Sequence, residues 1–163
     1  MTAKPIITDI SPEHYGTVLR LNAEFVQWTA PMDAAALDLI MRHADYARQI
    51  NDGAGILIGY AHDTHYPDHK NLIWLRQHLS NFFYIDRIII GAAAQGQKLG
   101  RKLYDDIADF ARARGHSHLA CEVNTVPDNP GSHRFHLRFG FEPIGERDFP
   151  DDNKSVRYYA KAL

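Results

Sequence analysis

Two carboxylates and a histidine are the side chains best placed to move a proton in this chain. Asp86 lies in "NFFYIDRIIIG" (81–91), where a strand's period of two would put it on one face with Ile88 and Ile90. Glu122 and Asn124 alternate in the same way within "HLACEVN". His136 lies in "NPGSHRFHLRFGF", and an imidazole titrates near neutrality. A positioned carboxylate can take a proton and an imidazolium can give one, each worth roughly 10²–10⁴-fold in rate. The plain alternatives are an ion pair between Asp86 and a nearby Lys or Arg, and simple packing of His136 in a short helix.

A second kind of chemistry belongs to backbone rather than side chains. In "IIIGAAAQGQKLGRKLYDDIADFARARG" (88–115) a strand-like run breaks at Gly91, passes Gly96 and Gly100, and becomes helical. A glycine-bearing turn that feeds a helix N-terminus presents several amides in one direction, and the helix dipole adds positive potential there. Phosphate or diphosphate suits such a place. Lys98 and Arg101 could add charge, while tight packing alone would also account for the glycines. Two familiar phosphate loops do not fit. Gly91 and Gly96 have the separation of a P-loop, but Gln97 stands where its lysine belongs, and no glycine triplet has the dinucleotide-fold spacing.

The elements that must position these groups follow from pattern. "PIITDI" predicts a first strand. Ser11 and Pro12 open a helix through "SPEHYGTVLRLNAEFV", and "PMDAAALDLIMRHADY" is a second helix. Asn51-Asp52-Gly53 turns a hairpin within "YARQINDGAGILIGYAHD". Residues 63–80 are polar and His-rich, and their pattern assigns no element. After the strand at 82–90, apolar residues at Leu99, Leu103, Ile107, Phe110 and Ala111 mark one helix face, with Gly115 as its stop. A strand at 118–124, a short helix ended by Gly140, and two closing strands complete a mixed α/β chain.

Bulk properties narrow the class. The 163 residues suit one domain with a real core, and a net charge of −2 gives no reason to expect nucleic acid as a partner. No run reaches the ~18 apolar residues that a membrane span needs, and the N-terminus lacks a signal-peptide pattern. Cys121 is the single cysteine, which rules out an intrachain disulfide and suits a reducing, cytoplasmic setting.

With these residues in view, the turn resembles the acetyl-CoA loop of the GNAT superfamily of N-acyltransferases. That loop has Gln or Arg, two residues, Gly, one residue, then Gly or Ala, five positions after an apolar strand residue. Gln95 fills the first place, Gly100 the last and Ile90 the strand position, and Gly96 matches a frequent second glycine. Lys98 departs, since the family usually has glycine there. A second family pattern matches Asn129, Ser132, Gly140 and Phe141, with His136 where tyrosine is usual. The match is good from about Phe82 to Phe149, and looser in element order elsewhere.

The resemblance implies a single N-acetyltransferase domain over residues 1–163, with a central mixed sheet of about six or seven strands and about four helices. It implies acetyl-CoA as cosubstrate and no metal. The diphosphate would sit on the amides of Gln95, Gly96, Gln97, Lys98, Leu99, Gly100 and Arg101, and the pantetheine would lie along Ile88, Ile89 and Ile90 between the strands at 82–90 and 118–124. Asn129 and Ser132 would touch the pantetheine side. A backbone N–H near Ile88 or Ile90 would hold the thioester oxygen as charge builds. Asp86 or Glu122 would take the proton of the attacking amine, and His136 would stand in for the tyrosine that protonates the leaving thiolate.

The resemblance implies an amine acceptor, with small amines, amino acids, antibiotics and protein N-termini or lysines all left open. Asn22, Gln27 and Trp28 lie where the family builds acceptor contacts, and Trp74, Tyr66 and Asn124 are further candidates for that wall. His62, His65 and His69 fall in a loop-like stretch and lack the fixed spacing of a zinc site. A metal-dependent hydrolase and a non-catalytic acyl-CoA sensor on the same fold are the alternatives. The oligomeric state is not written in the chain; homodimers are the commonest closed assembly.

Overall fold

A computed structural model describes residues 3–163. The described chain opens with β1 (Ile7–Asp9), and a 3-10 turn at Pro12–His14 leads into α1 (Tyr15–Glu24). Next come α2 (Ala34–His43), β2 (Tyr46–Ile50), β3 (Gly55–Ala61) and α3 (Lys70–His78). They are followed by β4 (Phe83–Ile90), α4 (Leu99–Ala113), β5 (His118–Val126), α5 (Pro130–Arg138), β6 (Glu142–Phe149) and β7 (Lys154–Ala162). The strands form one open sheet in the order β1-β2-β3-β4-β5-β7-β6, a mixed sheet in which β4 and β5 run parallel.

Helix α3, the one beyond the four expected, is the element that residues 63–80 conceal. It carries only two buried apolar residues, Leu72 and Leu75, among polar ones, too few to display a period. His69 starts it by accepting the Leu72 N–H on Nδ1 at 3.4 Å. The hairpin forms where expected, with Asn51 and Asp52 both left-handed ahead of Gly53. Among the described residues, no helix is long and apolar enough to cross a membrane.

Contacts divide the chain into two compact units. The first holds residues up to Tyr60 together with Ile85–Asp109. Its buried side chains include Val18, Leu21, Leu37, Ile40, Leu99, Leu103 and Ile107, so the apolar face read from α4 is buried as predicted. Asp106 fastens α4: its Oδ2 accepts from Arg48 Nη1 at 2.6 Å and from Tyr46 OH at 2.7 Å. Arg48 also donates through Nε to Asp9 on β1, at 3.1 Å. The helix whose start carries the glycine turn is thereby held to β1 and β2.

The second unit holds Ala61–Tyr84 and Phe110–Leu163. The parallel pairs Phe83↔Leu119 and Tyr84↔Ala120 lie within it, as does the antiparallel β5–β7 ladder. Cys121, on β5, is 2% exposed. Burial, and then the neighbouring Glu122 charge, push its thiol pKa well above the ordinary value.

Trp74 of α3 is clamped in this unit. Its ring stacks on His78 at 3.6 Å and on Tyr158 at 3.8 Å, nearly parallel to both. Its outer edge reaches Gly145, beside an irregularity in the β6–β7 ladder, so closely that a Cβ there would meet the ring at 2.6 Å. A ring gripped on both faces cannot swing away. Gly145→Ala should therefore destabilise the protein by about 1–3 kcal/mol, the usual range for an overpacked site. Urea midpoints for the variant and the parent chain measure this.

Candidate functional site

The glycine turn lies in the first unit. As β4 ends, the Gly91 N–H donates to Ala54 O at 2.9 Å, and Ala92–Ala94 make one 3-10 turn. Gln95 is extended, and its side-chain amide reaches back to Ile90 O at 3.5 Å. The next residues wind sharply, with Gly96 at φ +81° and Lys98 at φ +60°. The first bond of α4 runs from Lys102 N–H to Lys98 O at 3.3 Å, so the amides of Leu99, Gly100 and Arg101 precede any helical bond. Gln95, Gly96, Gln97 and Lys98 are exposed, and no heavy atom lies within 4 Å of where a Gly96 Cβ would stand. The turn is open, and its amides sit at the positive end of a 15-residue helix.

This geometry accounts for the departure at residue 98. The position is left-handed, a conformation that glycine adopts without penalty and other residues adopt at a cost of about 1–2 kcal/mol. Lys98 adopts it at φ +60°, and its side chain is exposed.

On β4, Ile89 is buried while Ile88 and Ile90 are half-buried, as alternation requires. Asp86 shares their face, but its Oδ2 accepts from Arg87 Nε at 2.8 Å, and the two side chains are only 8% and 11% exposed. The ion pair weighed as the plain alternative for Asp86 is present. Arg87 also donates through Nη1 to Asn22 Oδ1 at 2.7 Å. Asn22 is 1% exposed and passes its own amide to Ala30 O at 3.0 Å. These bonds hold the turn after α1. Trp28 is half-buried in that turn, its N–H bonded to Phe25 O.

The remaining predicted residues lie in the second unit. Glu122 Oε1 accepts from Asn71 Nδ2 and from Tyr84 OH, each at 2.9 Å. Asn124 is 7% exposed, and its carbonyl receives Asn129 N–H at 3.2 Å and His133 Nε2 at 2.9 Å. Asn129 caps α5, its Oδ1 accepting from Ser132 N–H at 3.3 Å. Trp74, expected to wall the acceptor pocket, has its ring faces covered by His78 and Tyr158. Among the described residues, no three His, Cys, Asp or Glu side chains converge in an arrangement that could hold a metal ion.

His136 departs furthest from expectation. It is 3% exposed, and its Nδ1 donates to Ser132 O at 2.7 Å, one turn back in the same helix. Burial lowers its pKa to about 4 against a smaller upward pull from the Ser132 carbonyl, and the nearby His133 adds a lesser downward push. At pH 7 it is neutral, and its proton is committed to its own helix. A donor to a departing thiolate needs the opposite properties; in this structure the ring packs beneath Phe141 and Tyr159.

Pattern reading did not single out Asn71, Tyr84 or Tyr158, the polar groups linked to Glu122. Asn71 could be found only after α3 was recognised. The tyrosines are ordinary in apolar strands, and only their partners distinguish them.

With the site described, comparison places the chain. The family model for the acetyltransferase (GNAT) family matches residues 17–141. The chain belongs to that family, and so to the enzymes of acyl transfer. No curated protein matches it in sequence. Among solved structures it is similar to Ard1 from Thermoplasma volcanium, with 16% identity, a TM-score of 0.78, and 98% of this chain and 97% of that one covered. It is also similar to the ribosomal-protein-S18-alanine N-acetyltransferase from Escherichia coli (15% identity, TM-score 0.70, 98% and 94% covered). A GNAT family acetyltransferase from Elizabethkingia anophelis with acetyl-CoA bound is comparable (14% identity, TM-score 0.68, 98% covered in both). Identities this low establish the shared fold alone.

Two outcomes follow. Lys98→Gly should raise stability by about 0.5–1 kcal/mol, the left-handed penalty less the extra chain entropy of glycine, as read by urea unfolding. His136 binds its proton more weakly folded than unfolded. Its contribution to stability is full above about pH 6.5 and is lost as pH falls toward about 4. His136→Phe should therefore flatten the decline in urea midpoint between those two pH values.

Proposed function

We propose that this chain is a single N-acetyltransferase domain, residues 1–163, which transfers the acetyl group of acetyl-CoA to an amine of a small molecule or peptide. The observation that carries the reading is the Gln95–Arg101 turn. Its two left-handed residues, open Gly96 position and leading helix amides fit a diphosphate, and Lys98 and Arg101 add positive charge. When bound, acetyl-CoA supplies the activated thioester carbonyl and a thiol leaving group.

The chain's own contributions divide by unit. In the first, the amides from Gln95 to Arg101 grip the phosphates, and the backbone of Ile88 and Ile90 aligns the arm beyond them. Fixing a reactant in this way removes entropy that a solution reaction would lose at its barrier, up to about 7–11 kcal/mol in good cases. In the second, Glu122 takes the amine proton. It is favoured over Asp86 because its donors are neutral, whereas Asp86 is already engaged by the Arg87 guanidinium at 2.8 Å. The amine attacks directly. The only thiol, Cys121, is buried and its pKa is raised, so it cannot serve as an intermediate carrier.

One observation favours a second reading, a non-catalytic acyl-CoA sensor on this fold: His136, where the family has an acid, is neutral and internally bonded. Calorimetry with acetyl-CoA and thiol release with a panel of amines decide between the two. The enzyme reading expects binding and turnover; binding without turnover favours the sensor, and no binding overturns both. Gly96→Val should weaken acetyl-CoA at least tenfold, about 1.4 kcal/mol. Glu122→Gln should lower kcat by roughly 10²–10⁴-fold with affinity kept. His136→Phe should leave kcat within a few-fold of the parent.

A further inference from the structure

Helix α3, absent from the sequence reading, directs one polar side chain at the carboxylate proposed as the base. We propose that Asn71 is a positioning residue that fixes the orientation and the ionised form of Glu122. The inference rests on the reading of Glu122 given above and adds to it a residue that acts through it.

Three elements aim donors along one path. Tyr158 of β7 stands opposite Glu122 in the β5–β7 ladder and is 0% exposed. Its hydroxyl donates to Asn71 Oδ1 at 2.7 Å. Burial, and then the Glu122 charge, raise the Tyr158 pKa against a smaller opposing effect of Arg147, so the phenol keeps its proton and remains a donor. Asn71 is thereby left with a single orientation. Its oxygen must face Tyr158, and its amino group must face Glu122 Oε1, at 2.9 Å. A flipped amide would set donor against donor and oxygen against carboxylate.

Tyr84, from β4 and also 0% exposed, donates to the same Oε1 at 2.9 Å. Its ring meets the edge of His69, the residue that caps α3 two positions before Asn71. The titratable and charged groups around Glu122 are thus Tyr84 from β4, His69 ahead of α3, Tyr158 from β7, Arg147 of β6 through its effect on Tyr158, and Cys121 beside it in β5.

Donors that favour the charged form of a carboxylate lower its pKa, and loss of one raises it. Glu122 is thus held with one oxygen anchored by two donors, each of which favours its charged form. The carboxyl carbon of Glu122, assigned by its loss in Glu122→Gln, can be titrated by carbon-13 NMR in the whole chain without any cosubstrate. Asn71→Leu should raise the midpoint by about one pH unit, the loss of one hydrogen bond to a charged group. Tyr158→Phe, which frees the amide to turn, should raise it by less. Asn71→Asp keeps the shape but forces two carboxylates to share a proton, and should raise it most. In turnover, the acid limb of kcat should move with the same midpoint while the KM for acetyl-CoA stays put. A midpoint unmoved in the Asn71 variants overturns the proposal. The titration needs no turnover, so that result is separate from calorimetric silence toward acetyl-CoA, which would sink the proposed function instead.

Discussion

Everything at the candidate site depends on a backbone constraint, the left-handed winding at Gly96 and Lys98. Two residues at positive φ within three positions turn the chain from strand direction into helix direction. The amides that precede the first bond of α4 then open outward from an uncluttered turn. A right-handed path through the same residues would wrap those amides into an ordinary helical turn. Glycine at 96 makes the winding easy, while lysine at 98 accepts strain to keep it. The Asp106 anchor to Arg48 and Tyr46 then holds the helix against the strands, so the turn is fixed from behind as well as by its own dihedrals.

The two carboxylates show how partners, rather than residue type, decide chemistry. Asp86 and Glu122 sit on neighbouring strands of one sheet and read alike by alternation. Asp86 is matched by a guanidinium that is itself tied to buried Asn22. Glu122 is met by an amide and a phenol. A full counter-charge stabilises the ionised form more than neutral donors do, and leaves less appetite for a proton.

Much of this was legible in the chain. The strand–turn–helix around Gly96, the apolar face of α4, the hairpin at Asn51 and the closing strands are local patterns that the fold keeps. What was not legible depends on long-range partners. Helix α3 shows no clear period because only Leu72 and Leu75 are buried in it. Asn22 and Trp74 have the composition of binding residues, yet one is sealed by Arg87 and the other is stacked on both sides. His136 is the sharpest case. Spacing placed it correctly in α5, but its protonation follows from burial and from the Ser132 carbonyl, neither of which a motif records. Lys98 shows the reverse, a departure from a familiar pattern at a left-handed position where glycine would be unstrained.

The position of Cys121 has a practical side. A reagent that colours on meeting a free sulfhydryl reacts with the ionised sulfur, and the only one in this polypeptide is walled off on β5 and reluctant to ionise. The folded catalyst should thus be optically silent in such an assay. Any colour that develops would count coenzyme set free, with no background to subtract for the protein itself.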